Sequence, residues 1–168
     1  MTCYDLAFRN RGDMPLSEGH LFPGLLVNYM DRVSPSIRSR IMGCIRGKNT
    51  QPELRTRKYL YAAGCRYRLH DSRLSGCPDL VFATKRICLF VHGCFWHGCP
   101  KCSDGRRKPK SNRDYWLPKI QGNRQRDRQH VSDLRAAGWT VLIIWECETM
   151  DVKNLERLLK TILRKRTW

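Results

Sequence analysis

The segment that most constrains the fold is FVHGCFWHGCPKC, at positions 90–102. Cys99 and Cys102 have the C-x2-C spacing that lets two thiolates reach one tetrahedral metal ion at about 2.3 Å. Cys94 lies five residues before Cys99 on the same predicted loop. A tetrahedral site needs a fourth ligand, so the fold has to bring a more distant residue to this loop.

Cys147 is the best candidate for the fourth ligand, because it directly follows the apolar run TVLIIWE at 140–146. A strand there would end beside the loop that follows the predicted strand at 87–92. Four thiolates would close the coordination shell, which is typical of a structural zinc ion. Two alternatives stay open: His97 as the fourth ligand, and buried cysteines that bind no metal. Nine cysteines in a chain with no predicted secretion signal argue against a disulfide framework.

Hydrophobic periodicity predicts the element order α-β-β-β-α-β-α, which is typical of a small α/β sandwich. The expected architecture is three-layer-like, with a central mixed sheet flanked by helices. The predicted elements are a helix capped by Asn49 or Thr50 and ended by Gly64, strands at 65–70, 79–83 and 87–93, a helix at about 123–137, a strand at 140–146 and a helix at about 151–165. Leu54 and Tyr61 are expected on the apolar face of the first helix. The strand at 140–146 is expected to be buried on both faces.

The N-terminal part of the chain differs in character from the rest. Residues 1–29 show little periodicity and contain several Gly and Pro, so we interpret them as a flexible extension that precedes a domain at 30–168. Ser34 or Ser36 is expected to cap a short basic helix that runs to about Ile45. The first 30 residues lack a basic segment followed by an apolar one, and no run of 18 apolar residues occurs, which predicts a cytoplasmic protein.

The charge of the chain is strongly unbalanced. Against 15 Asp and Glu there are 32 Lys and Arg, which gives a formal net charge of +17. Such an excess repels itself unless a polyanion shares it, so nucleic acid is the predicted partner. A ribosomal-type or merely soluble basic protein is the alternative interpretation.

Asp79, in GCPDL, stands at the start of a predicted apolar strand. Many metal-dependent nucleases present their first metal ligand at such a strand edge, and the next strand then carries a further acidic residue and a lysine. Here no Asp or Glu occurs between Asp79 and Asp104, and the next strand offers Val91 and His92 instead. The pattern therefore favours a metal-dependent site that lacks one usual part, with an exposed carboxylate at a strand edge as the alternative.

Several ordered motifs resemble the very-short-patch mismatch repair endonucleases, the Vsr family. They are Glu53 in NTQPELRTRKYL, Asp79 in GCPDLVF, the VHGCFWHGC block, NRDYWLPKI and the terminal WEC, and together they span about residues 34–150. The resemblance implies a fold related to type II restriction endonucleases. It also implies a bacterial enzyme that nicks the thymine strand at T:G mismatches, which arise when 5-methylcytosine deaminates. The expected partner is double-stranded DNA with such a mismatch, other mismatch repair proteins are further candidates, and a monomer is expected.

The resemblance implies roles for five residues in the chemistry. Asp79 matches the aspartate that binds the catalytic Mg²⁺. Val91 stands where family members often have Thr and contributes a backbone carbonyl to the metal, so this change should be tolerated. His97 matches the general base, and Glu53 matches the carboxylate that hydrogen-bonds and orients it. His92 matches an adjacent active-site histidine, whose candidate role is to support the scissile phosphate.

The family's zinc positions fall on the cysteines singled out above, namely Cys94, Cys99, Cys102 and Cys147. Cys99 stands where some members have His, and Cys102 is displaced by one residue. A histidine base also explains the missing acidic partner of Asp79. An imidazole with a near-neutral pKa can take a proton from water, and a carboxylate at its other ring nitrogen fixes the tautomer.

DNA recognition is also implied by the resemblance. Phe95, Trp96 and Trp116 match an aromatic wedge that inserts beside the mismatch, where weak stacking lowers the cost of insertion. Phe95 and Trp96 are therefore expected to be exposed, with packing in the core beside the zinc ion as the alternative. Met42 matches a residue that inserts from the minor-groove side, with a plain core residue as the alternative. Candidates for contacts with bases or phosphates are Lys119, Asn123 and Arg124.

Overall fold

The computed structural model describes residues 34, 36–37, 47–109 and 112–165. The predicted extension at 1–29, most of the predicted helix that ends near Ile45, and Met42 lie outside the described residues. The chain divides into a unit at 1–48 and a unit at 49–168. The second unit contains all the elements described below.

The second unit has the predicted order of helices and strands, with two additional short helices. The elements are α1 (Gln51–Ala62), β1 (Arg68–Leu69), β2 (Leu80–Phe82), a 3-10 turn (Ala83–Lys85), β3 (Ile87–His92), α2 (Cys94–His97), α3 (Ser103–Arg106), α4 (Arg113–Ala136), β4 (Thr140–Trp145), a 3-10 turn (Glu146–Met150) and α5 (Val152–Arg164). Within this described part, no helix has the length and apolar character needed to cross a membrane.

The strands form one mixed sheet in the order β1-β2-β3-β4. The β1–β2 and β2–β3 pairs are antiparallel, and β4 runs parallel to β3. A parallel pair needs a long crossover connection, which α4 supplies with its 24 residues. The predicted mixed sheet is confirmed.

Helices cover both faces of this sheet, because β3 alternates its side chains between two hydrophobic clusters. Leu89 belongs to the cluster that contains Leu60 of α1, together with Leu155 and Ile162 of α5. Phe90, one position further along, belongs to the cluster with Leu134 of α4. All six residues of β3 are buried. The predicted α/β architecture with flanking helices is confirmed.

The buried face of α1 differs from the predicted one. Leu54 and Tyr61 are 43% and 60% exposed, so their assignment to the apolar face was wrong. The buried residues of the helix are instead Glu53, Thr56, Arg57 and Leu60. Charged side chains can be buried here because Glu53 and Arg57 form an ion pair of 2.6 Å. The inner face of α1 is therefore partly polar.

Three element boundaries also differ from the predictions. The helix predicted from position 123 begins ten residues earlier, at Arg113, and contains Pro118, a residue that disfavours a helix interior. The strand predicted at 65–70 is reduced to Arg68–Leu69, because His70 adopts a left-handed conformation. The strand at 140–146 is not buried on both faces, because Ile143 is exposed. Among the described strands, β4 has only β3 as a neighbour, so it lies at the edge of the sheet.

Candidate active site and cysteine cluster

Asp79 and Val91 meet where β2 begins and β3 ends. Oδ2 of Asp79 accepts a hydrogen bond of 2.7 Å from the backbone N–H of Val91. Leu80 pairs with Leu89 in the sheet, and the continuation of this register places Pro78 opposite Val91. In a strand the N–H and C=O of one residue point to the same side, and proline has no N–H to donate to that carbonyl. The Asp79 carboxylate and the Val91 carbonyl therefore face the same place, and oxygen ligands of this kind suit Mg²⁺.

The Asp79 carboxyl is mostly buried, and burial raises its pKa from 3.8 to about 6. The N–H of Val91 opposes this rise, whereas the negative charge of Glu53 adds to it. At pH values above this pKa, the Asp79 carboxyl is ionised although little water reaches it. A divalent cation bound there would stabilise the ionised form.

The affinity of this site for Mn²⁺, a substitute for Mg²⁺, is expected to be about tenfold weaker at pH 5 than at pH 7. The raised pKa of Asp79, about 6, means that a proton competes with the metal ion at the lower pH. Calorimetric titration of zinc-loaded protein at both pH values, with zinc content checked in each, measures the effect. Equal affinities would show that this carboxyl is not the titrating ligand.

His97 is paired with Asp127 of α4, not with Glu53. Nδ1 of His97 lies 2.6 Å from Oδ2 of Asp127. Because an ionised carboxylate only accepts, Nδ1 carries the proton and Nε2 is left to accept one. Burial raises the pKa of Asp127, but the hydrogen bond and charge of His97 outweigh it and lower that pKa overall. The pair has the form of a general base and the carboxylate that orients it.

The prediction that Glu53 orients His97 is therefore wrong. Glu53 accepts hydrogen bonds at the start of α1, from the backbone N–H of Asn49 (3.0 Å) and from the hydroxyl of Thr50 (2.8 Å). It also accepts one from Arg57 at 2.6 Å. The helix cap and the buried arginine thus use its oxygens, although its charge still acts on Asp79.

Asp127 was missed by the sequence analysis. It is the only acidic residue between Asp114 and Asp133, in an otherwise basic stretch, and that isolation was the available signal. Asp127 lies within the helix predicted at 123–137, but nothing in the sequence indicated which loop this face of the helix would meet.

His92 lies against the ring of His97. The two rings are nearly parallel, with centroids 4.2 Å apart, and Trp145 contacts the ring of His92 edge-on at 5.4 Å. Burial and, to a smaller extent, the charge of His97 lower the pKa of His92 to about 4, although the charge of Asp127 opposes this. His92 is therefore neutral near pH 7 and can offer one N–H to a phosphate oxygen without adding a positive charge.

The four predicted zinc ligands come together in the structure. The Sγ atoms of Cys94, Cys99, Cys102 and Cys147 all lie within 4.8 Å of one another. The Sγ atoms of Cys99 and Cys147 are 3.9 Å apart, close to the edge of about 3.8 Å in a tetrahedron with Zn–S bonds of 2.3 Å. His97 belongs to a separate group with His92 and Asp127. The donor set and its spacing fit a zinc ion with four thiolate ligands.

Backbone N–H groups point at the sulfur atoms of this cluster. Lys101 donates to Cys99 (3.3 Å), Gly105 to Cys102 (3.4 Å) and Cys147 to Cys94 (3.4 Å). Such bonds favour thiolates.

Burial acts against thiolates in the same cluster. It raises the pKa of Cys94 above its ordinary range and that of Cys147 to about 12. Burial also works to raise the pKa of Cys102, but hydrogen bonds from Gly105 and the neighbouring thiols lower it overall. A metal ion would thus have to displace protons from at least Cys94 and Cys147.

Gly105→Ala is expected to reduce zinc content and to destabilise the protein by roughly 2 kcal/mol or more. A Cβ at this position would overlap with the carbonyl oxygen and the Cβ of Cys99, so the cysteine loop would have to move. Zinc analysis and chemical denaturation measure both effects. Gly122→Ala is the control, since the nearest atom there is 3.6 Å away. Because Gly122 lies inside α4, its replacement by Ala is expected to keep full zinc and to raise stability by up to about 1 kcal/mol. Full zinc and wild-type stability in Gly105→Ala would show that the close packing described here is incorrect.

The aromatic residues form a cluster of their own. Phe95 and Trp116 are only 1% and 9% exposed, so the expectation of an exposed wedge is wrong for Phe95, and Trp116 is buried as well. The ring centroids of Phe95, Trp96 and Trp116 lie 5.3–5.8 Å apart, mostly edge to face, and these contacts account for the burial. Trp96 is partly exposed.

The predicted DNA contacts on α4 fall into two groups. Lys119 and Arg124 are exposed, with Lys119 over the ring of Tyr115 at 5.5 Å. Asn123 instead donates its amide N–H to the carbonyl of Trp96 at 2.9 Å. It thereby ties α4 to the loop that carries His97.

Comparison with known proteins gives the family. The sequence model of the family described as DNA mismatch endonuclease Vsr matches residues 30–103. The Type II nicking enzyme V.XorIIP of Xanthomonas oryzae pv. oryzae is 49% identical over 133 residues, which cover 79% of this chain and 96% of that protein. The Type II nicking enzyme V.NmeAIP of Neisseria meningitidis serogroup A is 39% identical over 135 residues, 80% of this chain and 95% of the relative. The DNA mismatch endonuclease Vsr of Escherichia coli K12 is 37% identical over 131 residues, 77% of this chain and 80% of the relative. Since relatives of this identity span most of the chain, the protein belongs to the Vsr family of DNA mismatch endonucleases.

Proposed function

We propose that this endonuclease nicks the thymine strand of duplex DNA at T:G mismatches produced by deamination of 5-methylcytosine, with Mg²⁺ bound at Asp79 and Val91. The proposal rests on the proximity, at one end of the sheet, of the candidate metal ligand and the candidate general base. Asp79 is held by the N–H of Val91, and the His97–Asp127 pair is close enough for the charge of His97 to act on the Asp79 carboxyl.

Each residue of this site has a separate proposed role in hydrolysis. When bound, Mg²⁺ polarises the scissile phosphate and stabilises the charge that develops on it. Nε2 of His97 takes a proton from the attacking water, and the Asp127 carboxylate stabilises the imidazolium that results. His92, which is buried and neutral, donates an N–H to a phosphate oxygen.

We also propose that Cys94, Cys99, Cys102 and Cys147 bind a structural zinc ion. Three of them flank or belong to α2, the short helix that carries His97, and Cys147 follows β4. The ion would tie this loop to the end of the sheet. Its coordination shell would be complete, so zinc would fix the position of the base without taking part in the reaction.

Recognition of the mismatch is assigned to the aromatic cluster and its basic surroundings. A mismatched step stacks weakly, so an aromatic ring that is already partly exposed, such as Trp96, can enter it at lower cost. Phe95 and Trp116 pack beside that ring. Lys119 and Arg124 are proposed to contact phosphates, whereas Asn123 acts indirectly by holding the loop.

DNA affinity is expected to fall with salt at a slope of about −5 in a plot of log affinity against log salt, as contacts with about six phosphates predict. The excess of 17 positive charges makes this electrostatic contribution large. Fluorescence anisotropy of a labelled T:G duplex over a range of salt concentrations, without Mg²⁺, measures the slope. A slope near zero would contradict binding through the phosphate backbone.

Strand-resolved nicking tests the proposed function. Purified protein and Mg²⁺ are incubated with duplexes labelled on either strand, one with a T:G mismatch and one fully paired. Nicking of the thymine strand of the mismatched duplex alone is the expected result. Cleavage of paired DNA would instead indicate an endonuclease of different specificity, and binding without cleavage would indicate a zinc-stabilised DNA-binding protein.

A further inference from the structure

A second group of potential ligands lies beside Asp79, apart from the His97–Asp127 pair. One atom each of Glu53, His70 and Asp79 lies within 4.8 Å of the others, a spacing that would also suit a metal ion. A cationic group already occupies this place, however. Nη2 of Arg57 lies 2.6 Å from Oε2 of Glu53 and 2.8 Å from Nε2 of His70. The guanidinium therefore serves as the cation of this cluster.

The contact with Arg57 determines the protonation of His70. An arginine side chain can only donate hydrogen bonds, so Nε2 of His70 must be the acceptor and carries no proton. The proton of the neutral ring then lies on Nδ1, which faces Oδ1 of Asp79 at 3.8 Å. A shift of about 1 Å would bring these two atoms within hydrogen-bond distance.

The backbone of His70 supports a specific placement. Its φ is +46°, in the left-handed region that non-glycine residues rarely adopt. Its N–H donates to the carbonyl of Asp79 at 3.4 Å, which fixes the strained residue beside the metal ligand. Backbone strain of this kind costs about 1–3 kcal/mol and is concentrated at functional sites.

We propose that His70 is a positioning residue for the metal-binding carboxylate. Arg57, which is held by Glu53, fixes its tautomer. Its Nδ1–H faces Oδ1 of Asp79 at 3.8 Å and would hold it after the shift described above, while the N–H of Val91 holds Oδ2. The carboxylate then presents its remaining lone pairs in a fixed direction to a divalent cation. This inference rests on the proposed function, because it assumes that Asp79 binds the metal ion.

Two substitutions of His70 separate its N–H from its bulk. Asn tolerates a positive φ and places an amide N–H where Nδ1 lies, whereas Gly tolerates the same φ and supplies no donor. His70→Gly is expected to weaken Mn²⁺ binding to the zinc-loaded protein about tenfold, and His70→Asn to stay within about twofold of wild type. Mn²⁺ binding is measured by electron paramagnetic resonance, and thermal unfolding confirms that both variants are folded. Wild-type affinity in His70→Gly, or equal weakening in both variants, overturns the proposal.

Two further measurements make the outcome unambiguous. Nitrogen-15 spectra of the histidine rings in wild-type protein are expected to show His70 with a protonated Nδ1 and an unprotonated Nε2, and the opposite tautomer overturns the proposal without any variant. Asp79→Ala is measured beside the His70 variants. If it binds Mn²⁺ as the wild type does, the proposed metal ligand itself is wrong. If it loses Mn²⁺ while His70→Gly does not, only the role of His70 is wrong.

Discussion

Asp79→Ala is expected to lower the nicking rate at least about 1,000-fold while DNA binding and zinc content stay unchanged. The variant loses the carboxylate that the backbone N–H of Val91 holds in place. A bound metal ion lowers the activation free energy by several kcal/mol because it stabilises the charge of the transition state. Each 1.4 kcal/mol or so is a factor of ten in rate. Single-turnover nicking of a T:G duplex measures the loss.

Two controls accompany this variant. Glu156→Ala removes an exposed carboxylate from α5 and is expected to nick at the wild-type rate. Circular dichroism and zinc analysis show whether Asp79→Ala is folded. An unfolded variant would make Asp79 a structural residue, and a folded variant that still nicks at the wild-type rate would contradict its role as metal ligand.

Cys99→Ser is expected to lower zinc content below one ion per chain and to reduce the free energy of unfolding by several kcal/mol, about 3 or more. Cys99 is fully buried, and its sulfur lies 3.9 Å from that of Cys147 at the centre of the cluster. A hydroxyl is a poor substitute for a zinc-bound thiolate, so the loop that carries His97 would lose its attachment. Nicking is expected to fall together with zinc content.

Cys88→Ser is the matched control, because Cys88 is buried to the same extent in β3 but lies outside the cluster. It is expected to lose some stability through packing and to keep one zinc ion per chain. Elemental analysis and thermal unfolding of both variants separate loss of a ligand from loss of packing. A Cys99→Ser variant with full zinc and wild-type stability would refute the assignment.

The parts predicted correctly from the sequence depend on short-range patterns. The order of elements follows from apolar periodicity, and the meeting of Cys147 with the loop at 94–102 follows from two adjacent strands that end at the same side of the sheet. The position of Asp79 at the start of a strand was predicted because Gly-Cys-Pro marks that start. In each case the signal lies within a few residues of the feature that it predicts.

The parts predicted incorrectly depend on contacts between distant helices. Asp127 reaches His97 because α4 lies beside the loop that carries His97, to which Asn123 also bonds. The buried face of α1 carries Glu53 and Arg57, whereas periodicity assumes that a buried face is apolar. Burial of Phe95 likewise depends on rings that meet only in three dimensions.

We propose that three thiolates of residues 90–102 hold a zinc ion together with Cys147, which leaves His97 for the chemistry. Zinc-edge X-ray absorption of the wild-type protein tests it most directly. The expected spectrum shows four sulfur ligands at about 2.3 Å and no nitrogen ligand at 2.0–2.1 Å. Three sulfur ligands and one nitrogen, with the nitrogen lost in His97→Ala, would place His97 in the zinc site and contradict its role as the base.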